Sequence, residues 1–396
     1  MDVQLNLPQQ KYSYLLQKWI EAPSTESDYR QAVNRFNEIF GFAFCPATPQ
    51  RVATKVSAAV DAFNKQLEAP APETEGSHLA LSADGKGVPL VKRERPDPDT
   101  EKMPKARRSK GEKPGIKKEA VVTLDFSFNS SVRQPEDIVK ALLNEYTEAE
   151  RQEAKQKRQQ RHAEGLPEPR AGLNKHLRAT LDGKAEAMNY LMTRVLKRDP
   201  TGEKKLILLF DGDPNLDNAF NQALQDHQLL DRVDAQILDI IHASGYVWEA
   251  GTALYGETGN GRTAWVRDKL LAILQSDVGR VIGGIKQTLT KTKLRVSKRK
   301  KLQKAITYFE NHRHMMDYAT YLAKGYPIAT GLIEGACRSF VKERMEQSGM
   351  HWSIKGAQSI LKLRAVMKND DWEQFWKFFI ESEKTRMYAD TYQRAA

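Results

Sequence analysis

Two apolar runs in the middle of the chain constrain its fold more than any other feature. Residues 204–211 (KKLILLFD) and 234–241 (DAQILDII) are almost continuously apolar, and a helical pattern around 217–228 separates them. Strands of this composition are typically buried on both faces of a sheet. A strand, a helix and a second strand within this short length predict a βαβ unit, and therefore a sheet with a parallel part.

Two runs upstream predict further strands. Residues 78–84 (HLALSAD) form a short apolar strand that ends at Asp84, and residues 119–128 (EAVVTLDFSF) are rich in β-branched and aromatic side chains. Between these runs, residues 92–118 hold 11 basic and 5 acidic residues. This composition predicts a mobile basic loop between two strands.

The rest of the sequence is mainly helical, so the predicted fold class is α/β, a mixed sheet with flanking helices. The first helices, including one that starts at Thr48-Pro49, fit either a helix-turn-helix that reads DNA or a helical group that merely packs. The predicted domains are an N-terminal helical region with possible DNA contact, the first part of the core, an all-helical insertion and the second part of the core, at residues 1–68, 76–245, 246–325 and 326–396.

The charge and the cysteine content narrow the classes of function. A net charge of +11 favours a polyanionic partner such as nucleic acid. The two cysteines, Cys45 and Cys337, exclude a disulfide framework and a four-thiolate zinc site. The first residues lack the pattern of a signal peptide and no apolar run approaches ~20 residues, so we expect a cytoplasmic protein without a membrane span.

Three acidic residues stand where phosphodiester chemistry would need them. Asp84 and Asp211 each end an apolar strand and precede a glycine, and Glu334 lies near the start of a helix. The carboxyl ends of parallel strands form the ligand-binding edge of open α/β sheets, and carboxylates are the expected ligands of Mg²⁺. An acid at a strand end is equally often a simple turn residue.

Other residues near these acids have two interpretations each. Asp239 and His242 form a D-x-x-H pattern after the next strand, which fits either a metal site or a buried histidine with a satisfied hydrogen bond. Glu334, Arg338 and Lys342 are four residues apart on one predicted helical face. They fit either a phosphate site or an ordinary surface pair.

Four sequence blocks resemble the Kra-type insertion-sequence transposases, a bacterial group related to Mutator-like elements. The blocks are ADGKGVP at 83–89, LFDG at 209–212, LDIIHA at 238–243 and YPIATGLIEGACRSFVKERMEQSGMHW at 326–352. The last block is the most specific, and the similarity extends from about residue 14 to 388.

The resemblance implies a metal-dependent DNA transposase with an RNase H-like fold. Asp84, Asp211 and Glu334 would hold a pair of Mg²⁺ or Mn²⁺ ions, and Asp239 and His242 would belong to the catalytic residues. The partners would be double-stranded DNA, at the element ends and the target, and further copies of the chain assembled on it in the bacterial nucleoid. The expected DNA contacts are Lys86, Arg338, Lys342, Arg344, Trp352, Lys298, Arg299, Lys300 and Lys301.

Several alternatives stay open at the level of sequence. Asp125 also lies on a strand and competes with Asp84 as the first acid, while Asp213 could share ligation with Asp211. Trp352 either stacks on an unpaired base or packs in the core. The chain could also be a nuclease that cuts without joining, or an inactive DNA-binding relic. A phosphate-binding NTPase is disfavoured because the glycine-rich run 256–262 lacks G-K-[ST].

Overall fold

Five strands form a mixed sheet at the centre of the protein. The computed structural model describes residues 7–8, 11–94, 117–165 and 172–393. The strand order is β3-β2-β1-β4-β5; β1 pairs with β2, and β2 with β3, in antiparallel fashion, whereas β1–β4 and β4–β5 are parallel. The predicted α/β class with a mixed sheet is confirmed. The strands are β1 (His78–Pro89), β2 (Lys117–Phe128), β3 (Leu173–Thr180), β4 (Lys205–Phe210) and β5 (Val233–Leu238).

Helices precede, flank and follow the sheet. Before β1 lie α1 (Tyr14–Glu26), α2 (Tyr29–Phe40), α3 (Ala47–Val56) and α4 (Val60–Gln66). Between the strands lie α5 (Pro135–Leu142), α6 (Glu148–Ala163), α7 (Lys184–Arg198) and α8 (Pro214–Asp226). After β5 come α9 (Ile240–Tyr255), α10 (Arg262–Leu274), α11 (Val278–Lys291), α12 (Val296–His312), α13 (Tyr318–Ala323), α14 (Gly331–Ala336), a π-helical turn (Cys337–Lys342), α15 (Glu343–Met345), α16 (Ile354–Lys368) and α17 (Trp372–Gln393).

The central strands are buried on both faces, as their apolar sequence predicts. In β4, the residues from Leu206 to Phe210 are at most 2% exposed. Helices α7 and α16 pack against β2 and β3 respectively. Strand β3 was not predicted, because two of its buried positions are His176 and Arg178, which are polar residues that apolar periodicity does not detect.

Helices α3 and α4 share the main core with the sheet, whereas Ile20 of α1 packs with Val33 and Phe36 of α2 in a small separate cluster. Val52 and Phe63 belong to the same buried cluster as the sheet residues, and α3 packs against α16. Helix α3 begins at Ala47, slightly before the predicted Thr48-Pro49 start, and no side chain caps it.

Residues 246–325 form helices joined by turns, and part of this region covers the edge strand β5. The hydroxyl of Tyr318 donates to the carbonyl of Leu238 (2.7 Å), and the hydroxyl of Tyr321 donates to that of Gln236 (3.2 Å). A covered edge satisfies backbone groups that would otherwise be open to pairing with another chain. In the part of the chain that is described, no helix has both the length and the apolar character to cross a bilayer.

Candidate active site

Asp84 lies on β1, and Asp211 directly follows β4, the strand that runs parallel beside β1. Strands β1 and β4 pair with Ser82 opposite Leu209, so two further residues bring Asp84 alongside Asp211. A two-residue step keeps both side chains on one face, and neighbouring strands lie about 4.8 Å apart. Both side chains are half-buried. The two acids therefore meet at the carboxyl edge of the parallel strands, where open α/β sheets bind ligands.

The predicted end of the first strand was wrong. β1 continues past Asp84 to Pro89 because its antiparallel partner β2 pairs with it over that whole length. Its pairing with the parallel partner β4 ends at Ser82. Asp84 thus stands two residues beyond the last β1–β4 pair, within a strand that continues on its β2 side.

A tight turn follows Asp211 and fixes its backbone. Gly212 has a φ of +93°, and a Cβ added there would lie 2.9 Å from Nε2 of His312. The hydroxyl of Tyr308 donates to the carbonyl of Asp211 (3.0 Å), and Oδ1 of Asp211 accepts from the backbone N–H of Asp213 (2.9 Å). Helix α12 therefore clamps the segment that carries the second acid.

Sequence reasoning missed the role of His312, which periodicity marks only as a residue of the α12 core face. Its Nδ1 lies 2.8 Å from the carbonyl of Tyr308 and its Nε2 lies 3.1 Å from the carbonyl of Gly212. Carbonyl oxygens only accept, so both contacts are hydrogen bonds together only when the imidazole carries both protons. Nearby, burial raises the pKa of Asp217 to about 6, against the opposing influence of His312.

Asp239 is buried and accepts hydrogen bonds from the residues around it. It is 0% exposed and caps α9 by accepting from the N–H of Ile241 (2.8 Å). It also accepts a hydrogen bond from the hydroxyl of Thr330, the residue just before α14. Burial raises its pKa, and these hydrogen bonds oppose the shift. The contacts described for Asp239 thus join the end of β5 to the start of the helix that carries Glu334.

Glu334 shares an electrostatic environment with the aspartates of the sheet. Its side chain is largely exposed on α14. The partial burial of the carboxyl raises its pKa, the negative charges of Asp239, Asp84 and Asp211 raise it further, and His242 lowers it. His242 lies in the first turn of α9 and is exposed. The fold therefore brings all five sequence-predicted catalytic residues to one region.

Contacts to β1 hold the segment around Glu334 over the sheet. The buried thiol of Cys337, three residues beyond Glu334, hydrogen-bonds to the carboxylate of Asp84, and burial together with that carboxylate raises the thiol pKa. Further along, the backbone N–H of Trp352 donates to the carbonyl of Pro89 (2.9 Å). The block 326–352 is thus fixed to the strand that carries the first acid.

A π-helical turn directly follows α14 and changes the predicted helical face. Residues Cys337–Lys342 are π-helical, so α-helical spacing does not continue from Glu334 through Arg338 to Lys342. Arg338 is 81% exposed in its side chain and lies 3.8 Å from Glu343, five residues later. Lys342 is also exposed. Both cations face solvent near the acids, but not as the predicted four-residue stripe.

Arg344 and Trp352 correct the predicted set of DNA contacts. Arg344 is 0% exposed; it donates to the carbonyl of Ser24 (3.0 and 3.1 Å) and lies over the rings of Tyr29 and Trp352. Trp352 is 6% exposed, and its indole N–H donates to the carbonyl of Met345 (3.0 Å). Both side chains are core residues, since their polar atoms already have backbone partners and neither ring nor guanidinium reaches solvent.

The other predicted DNA contacts are at least partly accessible. Lys86 is half-buried on β1, two residues beyond Asp84. Lys298 is half-buried at the start of α12, and the next three cations are exposed, namely Arg299, Lys300 and Lys301. Most of the predicted basic loop, residues 95–116, lies outside the described residues.

Asp125 is excluded as the first acid of the site. It pairs across the sheet with Leu81, three residues from Asp84, so the two aspartates point to opposite faces. Asp125 is 1% exposed and lies 3.4 Å from Arg194 and 2.8 Å from Arg198. Although burial opposes it, these cations lower its pKa. Its negative charge is therefore neutralised by these two arginines in a buried ion-pair network.

Asp213 also has structural partners. It caps α8 by accepting from the backbone N–H of Asn215 (2.9 Å), and its other oxygen lies 2.9 Å from Nζ of Lys184. Although burial opposes the shift, these contacts lower its pKa. For Asp213 to bind a metal ion, its contact with Lys184 would have to break.

The donor set around Asp84 fits a hard divalent cation in its chemistry. Carboxylate oxygens are preferred ligands of Mg²⁺, and the mutual repulsion that raises the pKa of Glu334 is relieved by a cation. Within the described ranges, however, no three His, Cys, Asp or Glu side chains stand close enough to ligate one metal ion. A shared ion therefore requires the three acids to lie closer together than they do here.

The comparisons with known proteins identify no relative. The sequence matches no model of a known protein family, and it matches no protein of curated function. The function is therefore inferred from the residues and from the geometry of the site.

Proposed function

We propose that the chain is a DNA transposase with an RNase H-like core, which cleaves DNA and joins the cut strand to a target. The observation that carries the proposal is the position of Asp84 and Asp211, each two residues beyond the last pair of the parallel strands β1 and β4, with Glu334 close enough for both to raise its pKa. A five-stranded sheet in which only β2 runs against the other strands, with one acid on β1 and another directly after β4, is compatible with that core. The resemblance of the four sequence blocks supports the same assignment.

The residues of the chain would divide the work of holding the cation and the DNA. Asp84, Asp211 and Glu334 would hold Mg²⁺ or Mn²⁺, which when bound polarises the phosphate and activates the attacking hydroxyl. Asp84 and Asp211 sit on backbone fixed by the sheet and by α12. Glu334 sits on the short helix α14, which the Thr330–Asp239 hydrogen bond ties to the end of β5, and its side chain is exposed to solvent.

Nearby cations suit a polyanionic substrate. Lys86 follows Asp84 on the same strand, and Arg338 and Lys342 are exposed beyond Glu334. Each would position a backbone phosphate beside the acids without reading sequence. Exposed His242 would face the same phosphates and donate a ring N–H to one of them.

Strand transfer tests the proposal directly. The substrates are labelled duplexes from the DNA that flanks the coding sequence, incubated with the full chain, a target plasmid and Mg²⁺ or EDTA. We expect Mg²⁺-dependent cleavage and joined product, both reduced at least ~10³-fold by Asp84→Asn, Asp211→Asn or Glu334→Gln. Glu381→Gln, which neutralises an exposed acid on α17, is the matched control and keeps wild-type activity.

Two outcomes would contradict the proposal. Hydrolysis without joined product would indicate a nuclease of similar architecture. DNA binding that persists without any cleavage, and is the same in the three acid variants as in the wild type, would indicate a binding protein that has lost catalysis.

A further inference from the structure

An open groove runs along α12 toward the turn that follows Asp211. Its volume is about 440 Å³, and the residues of α12 that line it lie on one face of the helix. These are Lys300, Gln303, Lys304, Thr307 and Asn311, all exposed. From residue 300 to residue 311 the helix rises about 16 Å. One DNA strand carries a phosphate every ~3.4 Å of helix axis, so this length matches roughly three to five nucleotides.

The polar groups of this face suit an anionic, hydrogen-bonding ligand. Two ammonium groups, two side-chain amides and a hydroxyl all supply donors. Lys304 lies 3.2 Å from Glu249 of α9, and this acid is half-buried. No ion pair is described for Lys300 among the residues that the structure covers. Among the described residues, Lys300 of the groove therefore has no carboxylate partner, whereas Lys304 is paired with Glu249.

The aromatic floor of the groove favours a phosphate over a stacked base. Tyr246 and Tyr308 stack on each other, with ring centroids 3.8 Å apart and planes at 10°. Nζ of Lys304 lies 4.9 Å from the Tyr246 centroid, and the ring of His312 lies 4.5 Å from that of Tyr308. Because the tyrosines face each other and have cationic or aromatic neighbours, a base has no open ring on which to stack.

The groove is coupled directly to the candidate active site. The hydroxyl of Tyr308 donates to the carbonyl of Asp211, and His312 contacts the carbonyl of Gly212. We propose that this groove binds the sugar-phosphate backbone of a single DNA strand as it runs away from Asp211. The proposal rests on the proposed function, and it names the subsite that holds the strand next to the cut.

Binding measured without divalent cation separates this proposal from the catalytic one. The probe is a fluorescent oligothymidylate of about twelve nucleotides, titrated with the full chain in EDTA at several salt concentrations. Lys300→Ala together with Lys304→Ala should weaken binding at least ~10-fold and reduce the salt slope by about 1.4, since each phosphate contact on a single strand contributes ~0.7. Lys377→Ala, which removes an exposed lysine of α17, should change neither.

Glu249→Gln provides a second test with the opposite sign. It frees Lys304 for a phosphate and should tighten binding about 3-fold, whereas the control Glu381→Gln should not. Unchanged affinity and salt slope in the double lysine variant would overturn the groove proposal, even if Mg²⁺-dependent cleavage is observed. Conversely, if the predicted binding changes occur but no cleavage is detected, the groove proposal is supported and the transposase proposal is rejected.

Discussion

At the scale of a single residue, the backbone at position 212 requires glycine. Its positive φ and the approach of His312 both exclude a side chain, so the Asp-Gly pair is a consequence of how α12 packs on the end of β4. A glycine after an acid is a weak signal in sequence. In the structure, this glycine allows the tight turn directly after Asp211, whose carbonyl accepts a hydrogen bond from Tyr308 of α12.

Gly212→Ala should destabilise the protein by about 2 kcal/mol, because alanine is strained at this φ and its Cβ meets the imidazole of His312. Urea unfolding measures the change. Gly245→Ala is the matched control: it lies within α9, nothing stands within 4 Å of its added Cβ, and alanine there should stabilise the helix by about 0.5 kcal/mol. Equal effects of the two variants would contradict this account.

Asp217 gives a prediction that depends on pH. Folding raises its pKa from 3.8 to about 6, mainly through burial, and its Oδ1 is buried without a hydrogen-bond partner. The folded state therefore binds the proton more tightly than the unfolded chain, and the free energy of unfolding falls as pH rises from about 4 to about 6.

Asp217→Asn should remove this dependence. The variant should be more stable than the wild type above pH 6, and the difference should shrink as the pH falls toward 4, where the wild-type carboxyl is protonated. Chemical denaturation across this pH range measures the difference. A gap that widens on acidification would show that the sign is wrong.

At the scale of elements, the link between β5 and α14 positions Glu334. Asp239 caps α9 and accepts from Thr330, so the end of a strand and the starts of two helices meet at one carboxylate. Helix α14 is only six residues long and passes into a π-helical turn. π-helical turns of this kind occur frequently at functional sites.

Thr330→Val should weaken this link without removing the cap of α9. It leaves an oxygen of buried Asp239 without its hydroxyl partner, at a cost of about 1–3 kcal/mol. We expect cleavage activity to fall more than DNA affinity, because the acid is displaced while the cationic surface is unchanged. Thr330→Ser retains the hydroxyl and should restore both stability and activity; failure of serine to rescue would reject the positioning role.

For the whole molecule, two buried arginines join the first helix to the segment that carries Glu334. Arg344 donates to the carbonyl of Ser24, and Arg364 donates to the carbonyls of Thr25, Phe340 and Ser339. The carbonyls at the end of α1 lack partners within the helix, and cations there also interact favourably with its dipole. The N-terminal helices are thus held against the second part of the predicted core.

Arg344→Ala should destabilise the protein by about 3 kcal/mol, since a backbone carbonyl loses its charged partner and two aromatic rings lose their cation. Limited proteolysis should then cut first near α1 and α2. Arg338→Ala removes an arginine that is 81% exposed and should change stability by less than about 0.5 kcal/mol. Similar protease patterns for the two variants would contradict the proposed junction.

Much of the sheet was predictable because apolar periodicity reports burial directly. The runs that became β2, β4 and β5 were placed within a few residues, and the α/β class followed from them. Strand β3 escaped detection because His176 and Arg178 are buried through polar partners: His176 contacts Tyr190, and Arg178 pairs with Glu186. A pattern based on hydrophobicity does not represent burial of that kind.

The sequence by itself determined which residue types could carry the chemistry and which apolar runs form the parallel part of the sheet. Tertiary structure decided which of them meet: the β1–β4 register aligns Asp84 with Asp211, while the pleat turns Asp125 to the other face. It also buried Arg344, which sequence had assigned to DNA. The physical reason is that strand and helix preferences act over a few residues, whereas register, facing and burial depend on contacts between segments more than a hundred residues apart.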